Sequence, residues 1–513
     1  MKRIYKYLLG RVGISGEAIT GAKIIQLSTG AINKAAALFI LCCVVVSSLQ
    51  AQVSLPKVLG HNMVLQRNKP VAIWGTASAG EEVTVSFDKQ VKKTIASDSG
   101  KWQILLDAMP ASDQPAKMII KGSNEIVLQN ILVGEVWLCS GQSNMEYSMR
   151  RNSKITVPTG ITDWPVNELE VAKNPAIRIF MVDRKKMSAD PTHASWSIAK
   201  DSALRSFSAV GYFFAKKLYE ELHTPIGMIS AAIPGSRIEP WAPKEAFTAL
   251  PYFQNNSDTT HKIEGEPGKF YQTMIAPLAP FALKGFLWYQ GETNCFLKET
   301  LQYTYKMKGL INQWRSIWKD PALPFYYVAI APFAYSTSKG KIVLTPETLP
   351  EFWEAQAMAL QIPQTAMVVT TDLNDSLNNL HPHYKWEVGR RLALYALVKA
   401  YGKRGITVSG PVFKDMQVAG NKAILDFNYI DNGLVSKDGK PLNCFTIAGT
   451  DGKFVAADAI IKGDKVIVSS TLVAVPTAVR LGWNEADHSN LFNGDGLPAM
   501  PFRTDNPLEG KFK

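Results

Sequence analysis

Two residue types placed to do chemistry stand out, a serine and a histidine, each in a polar loop that follows an apolar run. Ser143 lies in "CSGQSNMEYSM" (139–149), directly after the buried-type stretch "ILVGEVWL". His381 lies in a polar loop after "AMVVTTD", which also contains Asn374 and Asp375. A serine becomes a nucleophile when a neighbouring base takes its proton, and imidazole titrates near neutral pH. A third requirement is a set of N–H donors for the oxyanion. Candidates are the backbone N–H groups of Ser143 and Gly235, and a side-chain amide from Gln290 or Asn294. Each residue also has a simpler reading. Serines commonly cap helices, and His381 directly precedes "PHYKWEVGRRLALYALVKAYGK", a helical pattern with Pro382 at its first position. His381 and His383 form a His-x-His pair, but no carboxylate or cysteine cluster accompanies them, so a metal site is not indicated.

Elements must bring these loops together. Between residues 131 and 402, apolar strands ("EVWLCS", "PIGMISAAI", "KGFLWYQ", "FYYVAIAPF", "TAMVVTTD") alternate with helical patterns such as "FSAVGYFFAKKLYEELH" and "YTYKMKGLINQWRSIW". Such alternation implies a parallel sheet covered by helices on both faces. Ligands of open parallel sheets bind beyond the carboxyl ends of the strands. The chain ends four of its strands in polar loops, at Gly141–Asn144, Pro234–Arg237, Gly291–Asn294 and Asn374–His381. Trp137, Trp288 and Tyr289 sit inside apolar strands and are expected in the core.

The flanks differ in texture. Residues 52–130 carry short β-type runs ("KPVAIWG", "EEVTVSF", "KWQILL") separated by turn residues, as in a β-sandwich. Residues 403–513 return to β-type runs ("KAILDFNYI", "KVIVSS", "AVRLGW"). The first 51 residues are different again. Scattered basic residues precede the apolar run "AAALFILCCVVV" (35–46) and the small residues of "SSLQAQ", which reads as a secretory signal peptide, with the mature chain beginning near Gln52. The run is short for a membrane span, which needs about 20 apolar residues, so no stable membrane insertion is expected after cleavage.

The formal charge of +12 falls to +7 without residues 1–51, which hold six basic residues and one acidic residue. That is mild, and no basic run is interleaved with aromatics, so nucleic acid is not a partner. Cys139, Cys295 and Cys444 remain, too few and too widely spaced for a disulfide framework. Cys139 reads as a small buried hydrophobe. The oligomeric state is not legible.

The stretch "GEVWLCSGQSNMEYSM" resembles the nucleophile block of the sialate O-acetylesterase-like family, a branch of the SGNH hydrolases. "HNMVLQRNKPVAIWGTASAGEEVTV", "FLWYQGETN", "LHPHYKWEVGRRLAL" and "NLFNGDGLPAMPFRTD" resemble its other blocks, so the likeness covers nearly the whole mature chain. It implies an SGNH-type three-layer α/β/α hydrolase domain with a parallel sheet, flanked by β-rich, sandwich-like regions. It implies hydrolysis of O-acetyl esters of sialic acids, or of acetylated xylan or another glycan, by attack of Ser143 and an acetyl-enzyme; the signal-peptide reading of residues 1–51 places this in the periplasm or outside the cell. No metal and no organic cofactor are implied.

Two blocks depart from the family pattern. Where it usually reads Trp-Gly-Gly-Thr, this chain has Ile233, Pro234, Gly235 and Ser236, and Pro234 has no N–H to give. Where an aspartate usually stands two or three residues before the histidine, this chain has Asn379 and Asn378. The acid is then Asp375, with Asp372 or a two-residue dyad as alternatives. A chain so changed is also compatible with a non-catalytic glycan-binding protein, against which the intact Ser143 and His381 count.

Overall fold

The computed structural model describes residues 52–157, 164–182, 196–254 and 262–513. The expected signal peptide lies outside the described residues. The chain is organised around one long strand, β1 (Glu125–Gly141), of 17 residues. Its first part, up to Asn130, is exposed or half-buried except at Leu128, and from Ile131 onward every residue is buried. This is the change of pattern expected where a strand passes from a half-solvated antiparallel sheet into the middle of a parallel one. The passage is marked at Asn130, whose φ is +59°. Asparagine tolerates this left-handed conformation better than most residues. Pairing with the strand Ser112–Lys121 shifts register there.

The boundary expected at residue 130 falls inside β1, and the apolar runs on either side are one strand with an irregularity, in keeping with the expected absence of a flexible gap. In its first part β1 pairs with Ser112–Lys121, which continues to Glu82–Phe87 and Gln90–Ile95. The pair Val71–Thr76 and Lys101–Leu106 forms a second small sheet. Val83, Val85, Ile73, Trp102, Ile104 and Ile120 are buried between them.

Five further strands flank the second part of β1: β2 (Ile177–Met181), β3 (Ile226–Ala232), β4 (Gly285–Tyr289), β5 (Phe325–Val328) and β6 (Thr365–Val368). The order is β6-β5-β4-β1-β3-β2, all parallel. Of these, β2 was not anticipated. The chain builds outward and back on one side of β1, then crosses to the other. This reversal is the switch point at which open parallel sheets bind ligands.

Alternation along the strands sorts their side chains to two faces. Trp137, Cys139, Leu287 and Tyr289 pack with α1 (Ala209–Leu222) and α2 (Lys385–Tyr395). Leu138, Phe286 and Trp288 pack on the other face with α3 (Leu301–Ile317) and α4 (Thr348–Met358). The result is the three-layer arrangement. Ser208 caps α1, its Oγ accepting from the Gly211 N–H at 3.1 Å. Burial pushes the Cys139 thiol up to about 12, so it is chemically quiet. The helix α2 starts at Lys385, three residues later than the position of Pro382 suggests. Residues 381–384 stay in the loop, where His383 Nδ1 bonds to the Tyr147 hydroxyl at 2.9 Å.

Beyond α2 the strands are antiparallel. Two four-stranded sheets enclose a separate core that includes Leu425, Ile447, Val466, Val468 and Val479. Arg503 fixes this region to α4 through both oxygens of Glu354, at 2.9 and 2.6 Å. Among the described residues no helix is long and apolar enough to cross a membrane.

Candidate active site

The end of β1 is built on Gly141. Its φ is +134°, and a Cβ there would lie 2.1 Å from the Tyr289 carbonyl oxygen. Only glycine lets β1 stay against β4 at the point where the chain turns out of the sheet. The next N–H, of Gln142, bonds to that same Tyr289 oxygen at 2.9 Å. The Gln142 carbonyl then accepts from the N–H groups of Met145 and Glu146, closing a single turn, Ser143–Glu146. Ser143 is therefore delivered at the carboxyl edge of the sheet, 8% exposed.

The four expected loops do meet there. Ser143 Oγ and His381 Nε2 are 2.8 Å apart. From β3, the Ile233 N–H bonds to the Gly141 carbonyl at 3.0 Å and leads into Pro234 and Gly235. Gly235 has a φ of +69°, and nothing lies within 4 Å of where its Cβ would be. Among the described residues no hydrogen bond uses the backbone N–H of Ser143 or Gly235.

The two side-chain amides expected in the oxyanion hole are occupied elsewhere. Gln290 is fully buried, and its Nε2 donates to Asn294 Oδ1 (2.8 Å), the Ser236 carbonyl (3.1 Å) and Gln142 Oε1 (3.2 Å). An amide nitrogen has two protons, and both are used. The Asn294 Nδ2 faces Glu299 (3.1 Å) and Glu239 (3.4 Å), while its Oδ1 accepts from the Ile238 N–H at 3.1 Å. These residues bind the β3 and β4 loops to each other. The amide left over belongs to Gln142. Its Oε1 also accepts from the Gly291 N–H at 3.3 Å, which turns Nε2 away from that contact, and Nε2 has no partner among the described residues.

Asp375 does not reach His381. Its nearest ionisable partner is His383, at 4.0 Å from Nε2. Asp372 is held by both nitrogens of Arg391, at 2.8 and 2.6 Å. Among the described residues no carboxylate lies within 4.0 Å of the His381 ring. Asn379 occupies the usual aspartate region and instead accepts from the His381 backbone N–H through Oδ1 at 3.0 Å. The expected acid is thus displaced: a buried guanidinium holds Asp372, and Asp375 lies toward His383 rather than His381. What remains is a pair.

That pair sits in a positive field. Burial first, then the charges of Arg151 and Lys385, hold the His381 imidazole down at about 4, against an ordinary value near 6.5. His381 is therefore neutral at pH 7 and able to accept a proton. The exposed Arg151 guanidinium lies 4.4 Å over the Tyr147 ring and pairs with no carboxylate among the described residues. Sequence reasoning missed Arg151 and Lys385. Arg151 lies on the short helix Met149–Asn152, just past the serine turn, so its nearness was legible in position if not in role.

A parallel α/β sheet that presents a serine hydroxyl to an imidazole at its carboxyl edge defines a hydrolase of the serine type. The comparisons with known proteins narrow this. A family model described as "Carbohydrate esterase, sialic acid-specific acetylesterase" matches residues 133–397. A carbohydrate acetylesterase from Xanthomonas citri is 36% identical in sequence, and its structure superposes with a TM-score of 0.76 over 88% of this chain and 100% of that one. The sialate O-acetylesterase of Homo sapiens is 27% identical over 421 residues, 74% of this chain and 77% of the relative. That of Mus musculus is 27% identical over 518 residues, 86% and 93%. The chain belongs to the sialic acid-specific acetylesterase family, and it is a carbohydrate esterase.

Proposed function

We propose that this esterase removes O-acetyl groups from sialic acids through a Ser143–His381 dyad. The observation that carries the chemistry is the 2.8 Å contact between Ser143 Oγ and His381 Nε2. Ser143 Oγ attacks the acetyl carbonyl while His381 takes its proton. The oxyanion is met by the Ser143 and Gly235 N–H groups and by the Gln142 amide. The sugar oxygen departs with the proton from His381, leaving acetyl-Ser143. Water then attacks, again giving a proton to His381, and acetate leaves as Ser143 is reprotonated. No step needs a metal or an organic cofactor.

The choice of sugar rests on two supports. The mammalian relatives carry the name sialate O-acetylesterase, and Arg151, whose charge bears on His381, offers a guanidinium with no carboxylate partner among the described residues, suited to a sugar carboxylate. The Xanthomonas citri relative is described only as a carbohydrate acetylesterase, so acetylated neutral glycans such as xylan are the alternative. Purified protein assayed on acetylated sialic acids, acetylated xylan and p-nitrophenyl acetate separates them. Arg151→Ala is expected to raise KM for the acidic sugar about tenfold, the cost of roughly one charge-assisted hydrogen bond, and to leave KM for p-nitrophenyl acetate unchanged. Equal effects on all three substrates exclude Arg151 as the carboxylate contact.

We also propose that residues 1–51 are removed and that the enzyme works in the periplasm or outside the cell, supported by the short apolar run at 35–46 followed by small residues. Mass spectrometry of protein from its native host is expected to find an N-terminus near Gln52. A cytoplasmic protein that retains Met1 overturns this.

A further inference from the structure

Next to the Ser143–His381 pair lies a buried chain of polar groups for which the acetyl transfer has no direct use. Asn144 follows the proposed nucleophile and is fully buried. Its Nδ2 donates to the Leu380 carbonyl at 3.1 Å, the peptide that leads into His381, and to Glu292 Oε1. Its Oδ1 accepts from Lys385 Nζ at 2.8 Å. Lys385, 1% exposed, also donates to the Pro382 carbonyl at 2.5 Å, on the other side of His381. With Asn379 holding the His381 N–H, the histidine backbone is gripped before, at and after the ring.

Both ends of this chain are ionisable and interior. Glu292 is 1% exposed, and its Oε2 has no hydrogen-bond partner among the described residues, nor does the nearby Tyr289 hydroxyl. The Lys385 ammonium lies 5.0 and 5.6 Å from the ring centroids of Tyr147 and Tyr289, close enough for cation–π attraction. An interior lysine and glutamate are unfavourable unless each offsets the other's desolvation, and apolar side chains would fill the same space without that cost. Their presence at the junction of the two reactive loops calls for a role.

We propose that Lys385, held by Asn144, which Glu292 in turn anchors, is the positioning residue of this esterase, fixing His381 against Ser143 through the loop backbone where other serine hydrolases use a carboxylate on the ring. This rests on the Ser143–His381 reading. The substitution has an electrostatic consequence of opposite sign. A triad carboxylate orients the imidazole and makes it more basic; Lys385 orients it and makes it less basic. The charges bearing on Lys385 itself are Glu292 and Asp375, which favour the ammonium, and Arg151, which opposes it. Burial dominates and brings Lys385 down to about 7.

The test measures p-nitrophenyl acetate turnover against pH for the full chain and for Lys385→Met. Loss of positioning is expected to lower kcat about hundredfold with little change in KM, the cost of a displacement near 1 Å. Loss of the charge is expected to move the acid limb of the profile upward, toward the ordinary histidine value. A merely structural lysine gives the fall without the upward move. If Lys385→Met does not fold, Glu292→Gln carries the test. Without its anion Lys385 discharges more easily, so kcat falls at neutral pH and recovers on the acid side, where the lysine recharges. A folded Lys385→Met with kcat within about threefold of the parent, or with an unmoved acid limb, overturns the proposal, as does a Glu292→Gln profile parallel to the parent's. Should Ser143→Ala keep full activity, the dyad itself has failed instead.

Discussion

Ser143→Ala is expected to lower kcat on any acetyl ester by roughly 10⁴-fold or more, with KM and the melting temperature nearly unchanged. The size follows from losing covalent catalysis altogether, as when a triad serine is removed and only binding and the oxyanion hole still act. The fold should survive because the change deletes one oxygen. The turn Ser143–Glu146 is closed by the Gln142 carbonyl, and the Ser143 side chain has no capping role there. Acetylation followed by mass spectrometry gives a second reading: a short-lived adduct on the peptide containing Ser143 in the parent, and none in the variant. A folded variant with parental turnover removes Ser143 from the mechanism.

His381→Ala is expected to cost about as much, and the double variant little more, because two groups that act as a unit are not additive. The pH dependence adds a test that only this environment predicts. Activity requires the neutral imidazole. Its proton affinity is depressed by burial and by Arg151 and Lys385, so the base form persists as the pH falls below 6.5 and is lost only on approach to about 4. The acid limb of kcat/KM should therefore lie well below an ordinary histidine's. Asp375→Asn serves as the control. Its one close ionisable neighbour among the described residues is the partly exposed His383, at 4.0 Å, a surface contact worth about 0–1 kcal/mol at most, so the variant should stay within about fivefold of the parent. A collapse of activity in Asp375→Asn, with an acid limb near 6.5 in the parent, returns the carboxylate to the mechanism.

The reactive pair was legible because each member leaves the end of a buried strand, and strand ends in a parallel sheet share one edge. The third group was not. Asp375 was chosen by distance along the chain, yet a loop residue's partner is set by what packs against it, and Arg391 and His383 lie on the helix and loop beyond. The amides failed for a related reason. Gln290 and Asn294 are polar residues at a strand end, which is equally the mark of a donor aimed at substrate and of a clamp between loops. Only the burial of both, and their bond to each other, tells these apart. Lys385 was illegible altogether: a lysine in the first turn of an amphipathic helix normally reaches solvent. The start of that helix was also misjudged, since Pro382 stands in a loop that two side chains hold open.

The long strand β1 also bears on how this protein can be inherited. Its first half completes the antiparallel sheet of the N-terminal region, and its second half is the central strand of the sheet that carries Ser143. A gene cut at residue 130 would leave one product short of a sheet edge and the other with a central strand that has lost its lead-in. Separated at residue 130, the two regions are expected to lose stability together, because they share that strand, whereas the C-terminal sheets, which have a core of their own and join through side chains, are expected to tolerate exchange better.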